Sequence, residues 1–332
     1  MDVTSTLSLG DPLEPARKAT ADMLRSRDHS FSLPQPFYCD QRLFEIDMQE
    51  IFHKEWLIAG MTCEIPAKGN FLTLQIGKNP VLVIRGAEGQ VHAFHNVCRH
   101  RGSRLCVSEK GKVAKLVCPY HQWNYSLQGD LQGVPFRRGV KQQGQVQGGM
   151  PKDFKPEEHG LTKLKVACRG GVVFASFDHA VEPLEDYLGP NILPWFDRVF
   201  SGRPLKILGY RRQRIPGNWK LMQENIKDPY HPGLLHTWFV TFGLWRADNK
   251  SQLVMDERHR HAAMISRGLC AGTLVAHPSA MPTAPLQSST GHCAGNTVGS
   301  IHSPSNVDTM GTAWSASSAV SAAPGADNRI SV

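Results

Sequence analysis

No run of eighteen apolar residues occurs in the chain, so no transmembrane helix is expected. The opening stretch, Met1 to Pro34, mixes Asp, Glu, Lys and Arg and has no apolar core of the kind a secretory signal needs. Cysteine is too sparse for a disulfide framework, with eight residues scattered through 332. These absences point to a cytoplasmic protein whose thiols stay reduced. Acidic residues are also short, 29 against 37 Lys and Arg, which leaves a formal charge of +8. The visible excess lies in Arg99, Arg101, Arg104, Lys110, Lys112 and Lys115, then in Arg137, Arg138 and Lys141. No nucleic-acid motif accompanies it, so nucleic acid is not an expected partner. The basic residues read as a solvated face or as a docking surface for an acidic protein.

What is present describes a globular chain, 41% hydrophobic and 20% charged, long enough for two domains. Residues 1–40 are expected to form a flexible arm, polar at first and ending near Pro34 and Pro36. From Asp40 to Leu57 the residues Leu43, Phe44, Ile46, Met48, Ile51, Phe52, Trp56 and Leu57 recur mostly at three- and four-residue spacing, which predicts an amphipathic helix. Short β-prone runs follow at 71–77, 81–85 and 91–95, divided by Gly69-Asn70, Gly77-Lys78-Asn79-Pro80 and Gly86-Ala87-Glu88-Gly89. Strands at 113–117 and 123–127 continue the pattern, and 140–149 reads as an exposed Gln/Gly-rich loop. Beyond it, 161–177 is strand-like, 182–200 helical and 205–215 another strand. The expected fold class is α+β. A small antiparallel β unit within 41–160 is set in or beside a helix-plus-antiparallel-sheet region over 161–267.

The β unit carries Cys98-Arg99-His100 and, seventeen residues on, Cys118-Pro119-Tyr120-His121. Two thiolates and two imidazoles in so short a span are a metal-ligand set. Structural zinc uses the same set of two cysteines and two histidines, though zinc motifs pair like with like, and here each pair is mixed. The pattern C-x-H…C-x2-H, with Pro119 after the second cysteine and Trp123 past the last histidine, resembles the Rieske iron–sulfur family. In a Rieske centre two histidines replace two cysteines on one iron of a [2Fe–2S] cluster. The resemblance implies that Cys98, His100, Cys118 and His121 bind such a cluster. Ser103 and Tyr120 stand where the respiratory type has a disulfide, so the resemblance is to the oxygenase type, and Cys106 reads as a buried free thiol.

A second motif follows Asn218, a plausible cap for a helix through Trp219, Leu221, Met222, Glu224 and Ile226. His231 and His236, five apart, would point about 140° apart on a straight helix. Pro229, Pro232 and Gly233 are breakers that could re-aim the rings. Taken alone, two such histidines are more often surface residues than ligands. Downstream of the first motif, however, Asp228-x2-His231-x4-His236 resembles the iron site of the aromatic-ring-hydroxylating Rieske oxygenases. That resemblance implies His231 and His236 as ligands of a mononuclear Fe(II), completed by a carboxylate and open to O2. It implies Asp228 as a bridge that passes electrons from a neighbouring subunit's cluster. It also implies NADH as the electron source through a partner reductase and ferredoxin, trimers of large subunits, and often a small β subunit. The likeness is greatest in the branch acting on aromatic carboxylates, where salicylate would give gentisate.

After Arg267 the composition turns to Ala, Ser, Gly, Thr and Pro, and 268–332 is expected to be a disordered or weakly structured tail. The resemblance stops there, so 161–267 is expected to be a partial catalytic domain, and a shifted reading frame would account for the break. The carboxylates available as a third iron ligand are Asp248, Asp256, Glu257, Asp308 and Asp327, and none is favoured. A non-catalytic electron-transfer protein with an intact cluster is therefore the alternative reading. Met222, Trp238, Phe239, Phe242 and Trp245 are expected to be core.

Overall fold

The protein is described by a computed structural model covering residues 11–28, 31–228, 230–242, 250–267, 297–301 and 313–322. The chain divides into two compact units: the described parts of Met1–Tyr187, Phe200–Met222 and Ser303–Val332, and those of Leu188–Val199 and Gln223–His302.

The first unit begins with three helices, α1 (Glu14–Ser26), α2 (Pro36–Cys39) and α3 (Gln41–Asp47). The flexible arm expected over 1–40 is thus corrected for most of its length. Asp11 accepts from the Leu13 N–H at 2.9 Å at the head of α1, and Leu13 and Ala16 pack on Ile46 of α3. Arg17 ties the helix down, reaching Asp11 at 2.9 Å and also Glu50 and Gln49. The signal was weak in sequence because so small an apolar contact suffices. The helix expected from Asp40 runs only to Asp47, widens into a π turn over Met48–Phe52, and gives way to strand at Leu57.

Strands β1 (Leu57–Met61), β2 (Asn70–Ile76), β3 (Asn79–Arg85), β4 (Val91–His95) and β5 (Lys110–Lys112) come next. The short strands β6 (Leu116–Val117), β7 (Asn124–Tyr125) and β8 (Leu131–Gly133) form a sheet of their own. The stretch read as a loop is a projecting hairpin, β9 (Val140–Gln142) and β10 (Gln145–Gln147), turned at Gln143 and Gly144 with both at positive φ. Then β11 (Lys163–Arg169) and β12 (Val172–Ser176) join the large antiparallel sheet, whose order is β1-β12-β11-β4-β3-β2-β5. The boundary expected at 160 therefore moves, because residues 163–176 complete the sheet begun at 57.

β3 sits inside this sheet and is buried on both faces. Val81 and Val83 face a core with Phe44, Phe52, Leu57, Ile65 and Val173, whereas Leu82 and Ile84 face a second core. That second core contains Phe94, Cys98, Cys118, Trp123 and Tyr125. A strand read from alternation alone shows one apolar face; the continuous Val81-Leu82-Val83-Ile84 run is what two cores require. The ligand loops are thus seated on a rigid sheet face. Gly69, at φ +78, lies so close to the Val113 carbonyl that any side chain there would collide with it.

Helix α4 (Leu184–Val199) is broken at Gly189, and β13 (Leu205–Ile215) leads to α5 (Trp219–Lys227). Asn218 caps α5 as expected, its side-chain oxygen accepting the Lys220 N–H at 3.1 Å. Lys220 and Asp47 form a buried ion pair. Trp219 Nε1 donates to the same carboxylate at 3.0 Å, and Lys220 Nζ also donates to the Phe37 carbonyl at 3.2 Å. Burial pushes the Asp47 carboxyl up, against the pull of Lys220 and Trp219.

The second unit carries α6 (Pro232–Leu235), α7 (Thr237–Thr241) and a three-stranded sheet of β14 (Lys250–Met255), β15 (Ala262–Arg267) and β16 (Thr297–Ile301). β17 (Ala313–Ala322) belongs to the first unit and pairs along β13. Two stretches of the tail expected to be disordered are therefore strands. Their Ala, Ser and Thr residues supply backbone pairing without an apolar alternation that sequence could display. The rest of 268–332 lies outside the described residues.

Replacing Lys220 by Met strands the Asp47 carboxylate in the interior and should cost about 3–5 kcal/mol, read as a lower urea midpoint. The double variant Asp47→Leu/Lys220→Met should recover most of the loss. An unchanged midpoint in the single variant would show that the pair carries no stability.

Candidate iron–sulfur site and histidine pair

The first ligand loop leaves β4 and the second joins β6 to β7. Each closes on itself through its backbone. The Cys98 N–H donates to Ser103 O at 2.8 Å and the Gly102 N–H to Cys98 O at 3.0 Å. In the second loop the Cys118 N–H donates to Trp123 O at 2.8 Å and the Gln122 N–H to Cys118 O at 3.0 Å. Gly102 and Gln122 both take positive φ, 73° and 58°, as such tight turns demand. Asn96, almost fully buried, pins the first loop. Its Nδ2 donates to Cys106 O at 2.7 Å and its Oδ1 accepts the Cys106 N–H at 2.9 Å.

The four side chains named from the spacing meet as two pairs, His100 with His121 and Cys98 with Cys118. The rings of His100 and His121 lie 4.5 Å apart, and both Cys98 and Cys118 are buried. Nδ1 of each histidine is buried without a hydrogen-bond partner. Such orphaned nitrogens are costly unless something else binds them. Burial raises the Cys98 thiol. It opposes the Cys118 thiolate too, yet the His121 and Tyr120 backbone N–H groups hold that group below its ordinary range, with smaller help from Cys98 and Ser103. Burial, then His121 and Arg101, lowers His100 and favours the neutral imidazole that a metal requires.

The zinc alternative needs all four groups on one ion. Among the described residues no three His, Cys, Asp or Glu side chains are grouped to hold a single ion. A [2Fe–2S] cluster asks for less, two cysteines on one iron and two histidines on the other. The donor set and its division fit the cluster.

Tyr125, which spacing did not single out, is fully buried, with its hydroxyl 3.2 Å from Cys98 Sγ and accepting the Arg99 N–H at 3.1 Å. Its signal was only a tyrosine on a short strand after the second loop. Cys106 is free and buried, as expected, and burial pushes its thiol up to about 11. Around the loops Arg99, Arg101, Arg104, Lys110, Lys112, Lys115, Arg137, Arg138 and Lys141 are all exposed.

In the second unit the five-residue histidine spacing is resolved by a broken helix. His231 precedes α6, which lasts only from Pro232 to Leu235, and His236 follows it with non-helical φ and ψ of −98° and 56°. The break turns the two Nε2 atoms to 3.2 Å from each other. Two imidazole nitrogens about 2.1 Å from one metal, at a right angle, stand about 3.0 Å apart. In the structure the two rings share a hydrogen bond through these atoms, and the same spacing suits two ligands of one ion. Asp228 Oδ2 lies 3.3 Å from His231 Nδ1, within ion-pair range but without hydrogen-bond geometry, so that Nδ1 is buried with no hydrogen-bond partner among the described residues. The Tyr230 backbone N–H, chiefly, holds the Asp228 carboxyl below its usual range.

No third ligand joins them among the described residues. Asp256 is committed to the β14–β15 turn, accepting the His261 N–H at 2.6 Å and the Arg258 N–H at 3.2 Å. Glu257 is exposed. Asp248, Asp308 and Asp327 lie outside the described residues, as do Pro229 and Trp245 and the side chain of Phe239. Trp238 and Phe242, expected in the core, are 59% and 65% exposed.

Comparisons with known proteins identify a domain and its relatives. Residues 55–144 match the Rieske [2Fe-2S] domain. The chain carries that domain and is a relative of Rieske oxygenase large subunits. It is 66% identical over 230 residues to the large oxygenase component of salicylate 5-hydroxylase from Ralstonia sp, covering 69% of this chain and 54% of that protein. It is 64% identical over 242 residues to the oxygenase subunit of glycine betaine monooxygenase from Pseudomonas aeruginosa, covering 71% and 53%. The chain thus spans about half the length of the curated relatives it matches. Its fold matches naphthalene 1,2-dioxygenase from Rhodococcus sp. with a TM-score of 0.66 at 27% identity, over 78% of this chain and 58% of that one. Among the described residues no helix is long and apolar enough to cross a membrane.

Hydrogen bonds to a cluster's sulfur ligands favour the more negative reduced form. Tyr125→Phe should therefore lower the reduction potential of the reconstituted protein, measured by redox titration. Cys106 should stay unmodified by iodoacetamide at pH 8 in the folded chain, since its thiolate is scarce there. Labelling as fast as a free thiol would contradict the burial described.

Proposed function

We propose that this chain acts as the large-subunit portion of a multicomponent Rieske hydroxylase. In this reading Cys98, His100, Cys118 and His121 hold a [2Fe–2S] cluster that receives electrons, and His231 and His236 hold a mononuclear Fe(II). The observation that carries it is the pair of Nε2 atoms at 3.2 Å, backed by Asp228, in a chain that also bears the four cluster ligands. When bound, such an iron supplies oxygen activation at open coordination positions.

The chain's own residues have separable tasks. Asp228 lies 3.3 Å from His231 Nδ1, close enough that a small rotation of either side chain would form the hydrogen bond that orients the ring and leaves Nε2 as a lone-pair donor. Its depressed pKa keeps it anionic at neutral pH, as a positioning carboxylate must be. Pro232 opens α6 at its first position, and the end of that helix at His236, with non-helical φ and ψ, brings the second ring round. The exposed basic residues beside the cluster loops suit an acidic ferredoxin, itself reduced by an NADH-dependent reductase. Trimers of large subunits, with small β subunits, complete the assembly in this reading.

For substrate, the 66% identity to the salicylate relative supports an aromatic carboxylate, with salicylate converted to gentisate. The 64% identity to the glycine betaine relative favours a second reading, oxidation of glycine betaine. Both candidates carry a carboxylate, and they differ in the ring. The contrasting possibility is a non-catalytic electron carrier, since no third iron ligand stands among the described residues.

The test supplies NADH, reductase, ferredoxin and O2 to the full chain with each substrate in turn. Gentisate from salicylate is the expected product. His231→Ala and His236→Ala should abolish it while the cluster remains reducible, and Asp228→Asn should slow it strongly. Cluster reduction without product from either substrate would establish the electron carrier instead.

A further inference from the structure

Behind the cluster loops lies a set of rings that neither binds the cluster nor belongs to its motif. Trp123 stacks on His100 with centroids 4.8 Å apart and planes at 12°. Two residues from the connection after the β9–β10 hairpin then close on Trp123. Phe154 meets it edge-on at 5.9 Å and His159 at 6.0 Å. Phe154 and His159 are themselves stacked, at 4.6 Å and 15°. Arg137 holds this pair in place, its Nη2 donating to the Phe154 carbonyl at 3.2 Å and its guanidinium lying 5.5 Å from the Phe154 ring. Trp123 is only 5% exposed, whereas Phe154 and His159 are half-buried, so they form the outer layer of the stack.

We propose that Phe154 and His159 are positioning residues for the cluster, acting through Trp123 to orient His100 and to keep water from its side of the site. The inference rests on the reading that His100 is a cluster ligand. An imidazole with its Nδ1 buried and unpartnered has no protein hydrogen bond on that nitrogen to fix the ring plane. Flat contact with the indole supplies that constraint, since tilting the ring costs the whole stacking area. The indole is in turn fixed by the two outer rings, because edge contacts at 63° and 75° block its rotation.

The second consequence is electrostatic. With neutral imidazoles, the oxidised cluster and its two thiolates carry no net charge, and one-electron reduction leaves one negative charge. Water near the site stabilises the charged form, so solvent exposure raises the potential and an aromatic cover lowers it. Removing an outer ring should therefore shift the potential upward, opposite in sign to the loss of the Tyr125 hydroxyl.

The experiment compares the full chain, reconstituted with iron and sulfide, with Phe154→Ala, His159→Ala and His159→Phe. The readouts are cluster content, the reduction potential by redox titration, and the EPR g-values of the reduced cluster. The alanine variants are expected to give a higher potential and shifted or broadened g-values, and His159→Phe, which keeps a flat ring, to match the unsubstituted chain. Failure of His159→Ala to hold a cluster, with full loading of His159→Phe, would support the same conclusion in stronger form. Unmoved potentials and g-values at full loading would overturn it. So would a shift in His159→Phe as large as in His159→Ala, which would assign the effect to the imidazole's polarity rather than to stacking. An unsubstituted chain that binds no cluster would sink the ligand assignment itself, a separate result from cluster bound and potentials unmoved.

Discussion

Two buried nitrogens, His100 Nδ1 and His121 Nδ1, have no hydrogen-bond partner in the protein, and the surrounding fold is built to hold them that way. Leaving a buried polar atom unpaired costs about 1–3 kcal/mol, so the penalty must be met by rigid surroundings until a metal binds. The rigidity comes from β3, whose two faces supply two cores at once. Leu82 and Ile84 press on the loop core, while Val81 and Val83 anchor the sheet to the helical side. Asn96 then locks the far end of the first loop with a paired donor and acceptor to Cys106. The ligands are preorganised because the sheet is.

The histidine pair of the second unit solves the same problem by a different route. No sheet seats it. A short helix ends between them instead, and the non-helical backbone at His236 replaces a 140° divergence by convergence. Asp228 contributes orientation from behind rather than cover from above. The pair's neighbours Tyr230, Leu235 and Trp238 are exposed, whereas the two cysteines of the cluster loops are buried beneath half-buried histidines. Enclosure suits a group that only exchanges electrons, and openness suits one that must admit other molecules.

What could be read from the sequence follows from how local each feature is. Cys98, His100, Cys118 and His121 lie in two short loops, so spacing alone brought them together. The β-prone runs at 81–85 and 172–176 were legible because burial on both sides makes them continuously apolar. The convergence of His231 with His236 was not readable from periodicity, because it depends on α6 ending at His236. Features made by distant partners were missed. α1 depends on Arg17 meeting Glu50, and the Lys220 pair depends on Asp47, 173 residues away. β16 and β17 depend on backbone pairing that Ala- and Ser-rich sequence does not advertise. The boundary at 160 was misplaced for the same reason, since β11 and β12 pair with β4 and β1.

If the loops hold the proposed cluster, the residues around them act on one quantity, its reduction potential, in opposite senses. The Tyr125 hydroxyl beside Cys98 stabilises the negative, reduced state. Trp123 against His100 disfavours it by excluding water, which solvates charge better than an indole does. Both residues lie just past His121, on β7 or one residue before it, so a single two-residue strand delivers both influences. Trp123 and Tyr125 share the core beneath the loops, on either side of an irregularity in the pairing at Asn124 and Tyr125. The exposed backing of Trp123 comes from Phe154 and His159, beyond the hairpin. A potential set by two opposed, separately anchored groups can be moved in either direction without touching a ligand.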